Sequence, residues 1–389
     1  MGLYEPKKSD NFTFGLWTVG NTGRDPFGEP VRKPPTPFES VKKLGPMGAA
    51  GVCLHDNDLY PFGCSAAERD RITKDFKKCL KDNGMAVTMG TANLFGNPVF
   101  KEGSFTAEDA TVRAYSVAKT LHALDVTNEL GGKIYVFWGG REGCEVDAAK
   151  DPRDVMKRMR DIFNFITHYI KEKKYPIRVA IEPKPNEPRG NMFLPTIGHA
   201  MAFINTLDYP EMVGVNPEVA HEHMSGLNFY HGLGQALDAG KLFHVDLNDQ
   251  DFGRFDQDFR FASANPKKMF FVVKLLEEAK YPGPKHFDSH PYRTEDEEGV
   301  WDFAAGSMRS YLILREKAEQ FNKNAEIQGL LKELRTKDAD WDAIAGGYAT
   351  AKADKLKKRV FETDALAKRG LRMERLDQIT NEILWGVAK

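Results

Sequence analysis

The sequence predicts a (β/α)8 TIM barrel followed by an extended C-terminal helical arm. Three observations carry this. Eight apolar, β-branched runs alternate with amphipathic stretches of helical length; acidic residues stand at the ends of several of those runs; and strand-like runs cease after about residue 322. Strand and helix alternating at this spacing argue for βαβ units and a parallel sheet, and eight units are the number that closes a barrel. A doubly wound open sheet is the runner-up, but it gathers its ligands at one crevice rather than on many strands.

The expected strands are FTFGLWTV (12–19), GVCLHD (51–56), AVTMGTANL (86–94), KIYVFWG (133–139), IRVAIEP (177–183), VGVNPEV (213–219), LFHVDLN (242–248) and KHFDSH (285–290). Helix-like stretches at 65–83, 107–131, 151–174 and 265–280 lie between them, punctuated by Gly or Pro. Strand alternation puts Ala180, Glu182 and Lys184 on one face, His244, Asp246 and Asn248 on another, and His286, Asp288 and His290 on a third. One face of each of these runs thus turns polar towards its end, which is where barrels carry their chemistry. The expected division is a catalytic barrel over 1–322 and a helical arm over 323–389. The arm carries Trp341, Ile344, Leu371, Leu376, Ile379, Leu384 and Trp385, too few for a core of its own, so it packs on the barrel or on a neighbouring subunit.

Composition narrows the class of function. The 389 residues are 41% hydrophobic and 29% charged, as in an ordinary soluble globular protein. Lys and Arg (55) nearly balance Asp and Glu (56), so no global field recruits nucleic acid or an anionic membrane. No run of about 18 apolar residues and no secretory h-region occurs, which sets the expectation of a cytoplasmic protein. Cys53, Cys64, Cys79 and Cys144 form no CxxC pattern and are expected to be reduced thiols.

The acidic run ends point to metal. Glu182, Glu218, Asp246, Asp256, Asp258 and Asp288, with His221, are hard to place by packing, because a buried carboxylate must be paired or neutralised. Many oxygen donors and one imidazole suit Mg²⁺, Mn²⁺ or Co²⁺. A natural division gives one ion Glu182, Glu218, Asp246 and Asp288, and a second ion Glu218, His221, Asp256 and Asp258, with Glu218 bridging. Lys184 would project into the same mouth, as a structural ion pair or as a group polarising a substrate oxygen. His55 with Asp58 in LHDNDLYPFG is a pairing suited to general acid/base work. Trp17, Phe27, Phe95 and Trp138 recur at the same rim, and flat aromatic faces suit the C–H faces of a sugar, though core packing explains any one of them equally well.

Motif by motif these residues resemble the xylose isomerases, and more closely the shorter class of actinobacteria and their relatives. The resemblance runs from FTFGLWTVGNTGRDPFG through HDNDLYPFG, TANLFGNPVFKEGSFT, WGGREG, IEPKPNEPRG, NPEVAHEHMSGLNF, FHVDLND and FDQDFRF to RTEDEEGVW and ERLDQITNEIL, essentially the whole chain. It implies interconversion of D-xylose and D-xylulose, and of D-glucose and D-fructose, by ring opening and a 1,2-hydride shift with two divalent ions. It further implies that His55, oriented by Asp58, opens the ring, that Lys184 hydrogen-bonds the open-chain carbonyl, and that Trp17, Phe95 and Trp138 line the pocket. Phe27 would reach a neighbouring subunit's site in a homotetramer held by the C-terminal arm. The Glu187–Pro188 bond matches one that is cis in the family. Two positions depart: His290 stands where many members carry Lys, and Asn57 where many carry an acid. Another metal-dependent sugar isomerase or epimerase, for instance one acting on L-rhamnose, a metal-dependent DNA-repair endonuclease and a catalytically dead scaffold are the rivals. The balanced charge argues against the endonuclease, and the intact ligand set against the scaffold.

Overall fold

The computed structural model describes residues 4–387. Its centre is a curled, seven-stranded parallel sheet: β1 (Phe12–Gly15), β2 (Gly51–His55), β3 (Ala86–Thr91), β4 (Ile134–Trp138), β5 (Arg178–Glu182), β6 (Val213–Val215) and β7 (Lys285–Phe287). The order is β6-β5-β4-β3-β2-β1-β7, so the first and last strands pair with one another, as a barrel requires. The eighth expected strand, 242–248, is no regular strand. It lies between β6 and β7 through isolated parallel bridges, Val215 to Leu242, Glu218 to Asp246 and Asp246 to His286. Its backbone still links both neighbours: Asp246 N donates to Pro217 O at 3.0 Å, and Leu247 N to His286 O at 2.8 Å. Four other runs are shorter than expected: those ending at Thr91, Val215 and Phe287 pass into loops or turns, and the one ending at Gly15 gives way to the helical turn Leu16–Val19.

The helices start where the sequence supplies caps. Thr36 and Glu39 exchange bonds as a capping box, while Ser65, Asp109 and Asp151 each accept a first-turn N–H. Inward faces then follow helical spacing: in Pro152–Lys173, Val155, Met159, Phe163, Ile166 and Ile170 are buried. Phe163 meets Phe137 of β4 edge-on, at 5.2 Å between ring centroids. Inside the sheet, Cys53, Met89, Val136, Ala180 and Phe243 form a packed layer, so the barrel has a filled floor beneath its mouth.

The chain divides into two compact units, one running to Ile313 and one from Leu314, with the break inside the helix Glu297–Lys323. The first holds the whole sheet. In the second, helices Ala325–Leu334 and Met373–Leu384 pack together, tied by Arg375 Nη2 to Glu326 Oε2 at 2.7 Å. Helices Ala339–Ala345 and Thr350–Lys358 are joined by Arg359, which reaches Asp338 at 2.7 Å and Asp340 at 3.0 Å. No helix among the described residues is long and apolar enough to cross a membrane.

The tightest helix–sheet approach is at Gly90 of β3, where an added Cβ would lie 2.0 Å from Thr127 Oγ1. Gly90→Ala is expected to lower unfolding stability by about 1–3 kcal/mol through overpacking. Adding Thr127→Ala should recover most of that loss, as read from denaturant midpoints.

Candidate active site

The strand ends deliver their side chains into one cavity of about 320 Å³ at the mouth of the sheet. Trp17, His55, Asp58, Phe95, Trp138, Glu182, Lys184, Glu218, His221, Asp256, Asp258 and Asp288 all line it. Asp246 is fully buried just beneath. Phe27 alone lies elsewhere: it is fully exposed at the tip of a turn in which its N–H bonds Asp25 Oδ1 at 2.7 Å.

One wall is aromatic. Trp17 sits not on a strand but on the helical turn Leu16–Val19 that follows β1, and the absent side chain of Gly15 makes room for it, since a Cβ there would meet the indole at 2.5 Å. The indole Nε1–H donates to Asp288 Oδ1 at 2.7 Å. Trp17 meets the His55 ring at 4.4 Å, and Phe95 meets Trp138 edge-on at 4.5 Å. At the end of β2, Asp58 Oδ2 accepts from the His55 backbone N–H at 2.7 Å and lies 3.2 Å from Nδ1. Burial works against the imidazolium, but Asp58, in charge and hydrogen bond, outweighs it and raises the His55 pKa. Beside this pair, Asp56 and Asn57 are held by Lys119, which stands 2.9 Å from Asn57 Oδ1. Asn57 thus meets the lysine through its side-chain oxygen.

The opposite wall is charged. Among the described residues, ligand atoms gather within 4.8 Å in the sets Glu182–Glu218–His221, Glu218–Asp246–Asp288 and Glu218–Asp256–Asp258, and Glu218 is common to all three. Burial, then the charges of Asp246 and Asp288, pushes the Glu182 carboxyl well above its usual range. Burial, then Asp258 and Asp256, does the same to Glu218, and burial with Asp256 and Asp288 to Asp258. Asp288 rises to about 8, chiefly by burial and then by Asp246. Two carboxyls go the other way. Burial opposes both, yet Lys184 holds Asp256 low, and the hydrogen bond from His244 holds Asp246 low. Lys184 pairs directly with Asp256, whose other oxygen, Oδ1, is buried without a hydrogen-bond partner.

This donor set fits divalent cations, and His221 decides the point. Its Nδ1 lies 3.0 Å from Pro183 O, an obligate acceptor, so the proton is there. Burial lowers the His221 pKa, so the ring is neutral and Nε2 carries a lone pair. That lone pair faces Glu218 Oε2 at 3.2 Å and Asp256 Oδ2 at 3.5 Å. A lone pair aimed at carboxyl oxygens calls for a proton or a cation between them, and imidazole fixed through its other nitrogen is how metal-ligating histidines are held.

The chain matches the xylose isomerase-like TIM barrel family over residues 38–311. It belongs to that family. It is 53% identical to a xylose isomerase of Thermus thermophilus, over 99% of this chain and all of that one, and 51% identical, with the same coverage, to a xylose isomerase of Thermus caldophilus. Similar solved structures include a putative xylose isomerase from Rhodospirillum rubrum (TM-score 0.61, 15% identity, 77% of this chain and 98% of that one). A 3-keto-D-glucoside 4-epimerase from E. coli is another (TM-score 0.56, 16% identity, 79% and 99%). At such identities these two speak for the fold alone. Identity to curated xylose isomerases over nearly the whole chain, with the ligand clusters, supports a metal-assisted sugar isomerase active site.

Several contacts escaped the sequence reading. Asn216 Nδ2 donates to Asp246 Oδ2 at 2.7 Å and Glu182 Oε2 at 3.1 Å, and Asn248 Nδ2 to Glu218 Oε1 at 2.7 Å and Asp258 Oδ1 at 2.9 Å. Each amide thus joins two carboxylates that would otherwise repel. Their signal was spacing, since each stands two residues from an acid in an extended run. Glu187, whose bond to Pro188 is cis, accepts the Asp256 backbone N–H at 2.8 Å. His290 lies beyond the end of β7, with its N–H on Asp258 O at 3.1 Å, and does not line the cavity.

Two outcomes follow. In the metal-free chain Glu182, Glu218, Asp258 and Asp288 bind protons more tightly folded than unfolded. The stability they contribute is complete below about pH 4, the unfolded value, and falls away as pH rises through the folded ones. Asp246 and Asp256, held low, add no slope in that range. The melting temperature of EDTA-treated protein should therefore fall from about pH 5 to about pH 9, and saturating Mg²⁺ should remove most of the slope. Asn248→Ala should weaken metal binding by about 10–100-fold without unfolding the chain, as read by calorimetric titration.

Proposed function

We propose that this protein interconverts D-xylose and D-xylulose, with D-glucose and D-fructose as a second pair, at a centre of two divalent ions, Mg²⁺ with Mn²⁺ or Co²⁺ as substitutes. The observation that carries the reading is the lone pair of His221 facing Glu218 and Asp256 in a cavity whose other wall is aromatic. Glu182, Glu218, Asp246 and Asp288 would hold one ion, and Glu218, His221, Asp256 and Asp258 the other. Bound there, the ions supply Lewis acidity and a template for adjacent sugar oxygens.

The chain's own groups account for the rest. Trp17, Phe95 and Trp138 offer flat faces to the carbon skeleton and exclude water. His55, steered by Asp58, is placed to move the proton that opens the ring. Lys184, kept protonated by Asp256 against the effect of burial, is placed to hydrogen-bond the open-chain carbonyl oxygen. Every cavity carboxylate is either in the ligand set or, as Asp58, tied to His55, so none is left to take a proton from C2. A 1,2-hydride shift fits that arrangement better than proton transfer through an enediol.

The segment 323–389 is read as an arm gripping a neighbouring subunit in a homotetramer, and its exposed Trp341, Tyr348, Phe361, Leu366 and Trp385 support that. Phe27, fully exposed, would complete a neighbour's site. The reading places the chain in the shorter, actinobacterial-type class of xylose isomerases and in the cytoplasm. Protein stripped with EDTA should leave D-xylose unchanged and convert it to D-xylulose once Mg²⁺ is restored. In D₂O the ketose should carry no solvent deuterium at C1. Folded, metal-loaded protein that leaves D-xylose untouched, or deuterium at C1, would overturn the substrate or the hydride step respectively.

A further inference from the structure

One layer beneath the cavity lies a second group of metal-ligand side chains, chemically unlike the first. Cys53, His244 and His286 are fully buried, and one ligand atom from each lies within 4.8 Å of the others. The sheet brings them together: Thr13 of β1 pairs with His286 of β7, Gly15 of β1 with Cys53 of β2, and the bridge from Asp246 to His286 sets His244 alongside. The β2–β3 register shifts between Val52 and Cys53, and irregularities of this kind re-aim a side chain.

We propose that Cys53, His244 and His286 form a third cation site, suited to a borderline or soft divalent ion such as Zn²⁺ or Co²⁺. Two imidazole atoms there have no other use. His244 Nδ1 lies 2.8 Å from Asn216 Oδ1 and 3.1 Å from Asp246 Oδ1, both acceptors, so its proton is on Nδ1 and its Nε2 carries a lone pair. His286 Nδ1 lies 3.1 Å from the Thr13 hydroxyl, which is able to serve a ring N–H as acceptor, and with the proton there Nε2 carries the same lone pair. Both Nε2 atoms are buried without a hydrogen-bond partner. A buried nitrogen lone pair without a donor is costly, and a cation satisfies two at once. A carboxylate behind one imidazole is the arrangement that orients and strengthens such ligands.

Sulfur and nitrogen donors separate this site from the oxygen-rich centre above, because thiolate favours Zn²⁺ over Mg²⁺. The step is simple in its balance. The Cys53 S–H bond breaks, the proton passes to buffer, a metal–sulfur bond forms, and nothing is oxidised or reduced. The thiolate offsets one of the two charges of the ion, and Asp246 stands behind the His244 imidazole. Access is short: Met89 and Val136 belong both to the cavity lining and to the layer around Cys53, and Met89 is an unbranched chain able to swing aside.

The site does not rest on the isomerase reading, and its test is spectroscopic. Co²⁺ titrated into the full chain fills oxygen and nitrogen sites without any thiolate absorption. Binding at Cys53 adds a thiolate-to-cobalt charge-transfer band in the near ultraviolet, one further equivalent of bound Co²⁺ and one released proton. The band should vanish in Cys53→Ser. It should persist in a variant with Cys64, Cys79 and Cys144 all replaced by Ser, where Cys53 is the last thiol. No band in the wild type, a band that survives Cys53→Ser, or its loss in the folded triple variant would each overturn the proposal.

Discussion

Mutual repulsion among buried carboxylates is the constraint around which the mouth of this sheet is organised. Like charges a few ångströms apart in a poorly polarisable interior cannot all ionise unaided. The chain meets this in three ways at once. Lys184 serves Asp256, the ring N–H of His244 serves Asp246, and the amides of Asn216 and Asn248 each bridge two acids. What remains, on Glu182, Glu218, Asp258 and Asp288, is a set that keeps its protons or takes up cations. The site is a deficit of positive charge, built to a fixed shape.

The two walls of the cavity divide the labour by solvation. Aromatic rings on one side lower the local polarity, which strengthens every charge–charge and hydrogen-bond interaction on the other. Trp17 joins the walls, meeting the His55 ring edge-on while donating its N–H to Asp288. The acid/base candidate and the metal-site candidate are thus mechanically linked through one indole. That linkage depends on the missing side chain of Gly15 beneath it.

Much of this was legible in the sequence, and the reason is cost. An acid at the end of an apolar run is too expensive to bury without purpose, so Glu182, Glu218, Asp246 and Asp288 stand out against the hydrophobic pattern that also marks the strands. Features set by tertiary contact were not legible. The run 242–248 has the composition of a strand, yet its polar face sits among ligands and it keeps only isolated bridges. Trp17 reads as strand until the turn after Gly15 is seen. Glu142 in WGGREG carries no mark of its setting. It is in fact buried, its carboxylate accepting the backbone N–H groups of Ser104, Phe105 and Thr106 and both nearby hydroxyls. Nothing local to residue 142 announces that loop.

The ligands are contributed by segments that follow one another from Glu182 to Asp288, and Glu218 is shared by every cluster of the centre. During synthesis, then, no early stretch of chain holds a complete set. A ribosome-bound fragment ending before Asp288 would carry the second set on a sheet not yet closed and a first set short of one acid. Firm capture waits until β7 has emerged and paired with β1, the closing act of the sheet. The cation thereby works as a seal applied to finished molecules, and nascent or broken ones would not hold it.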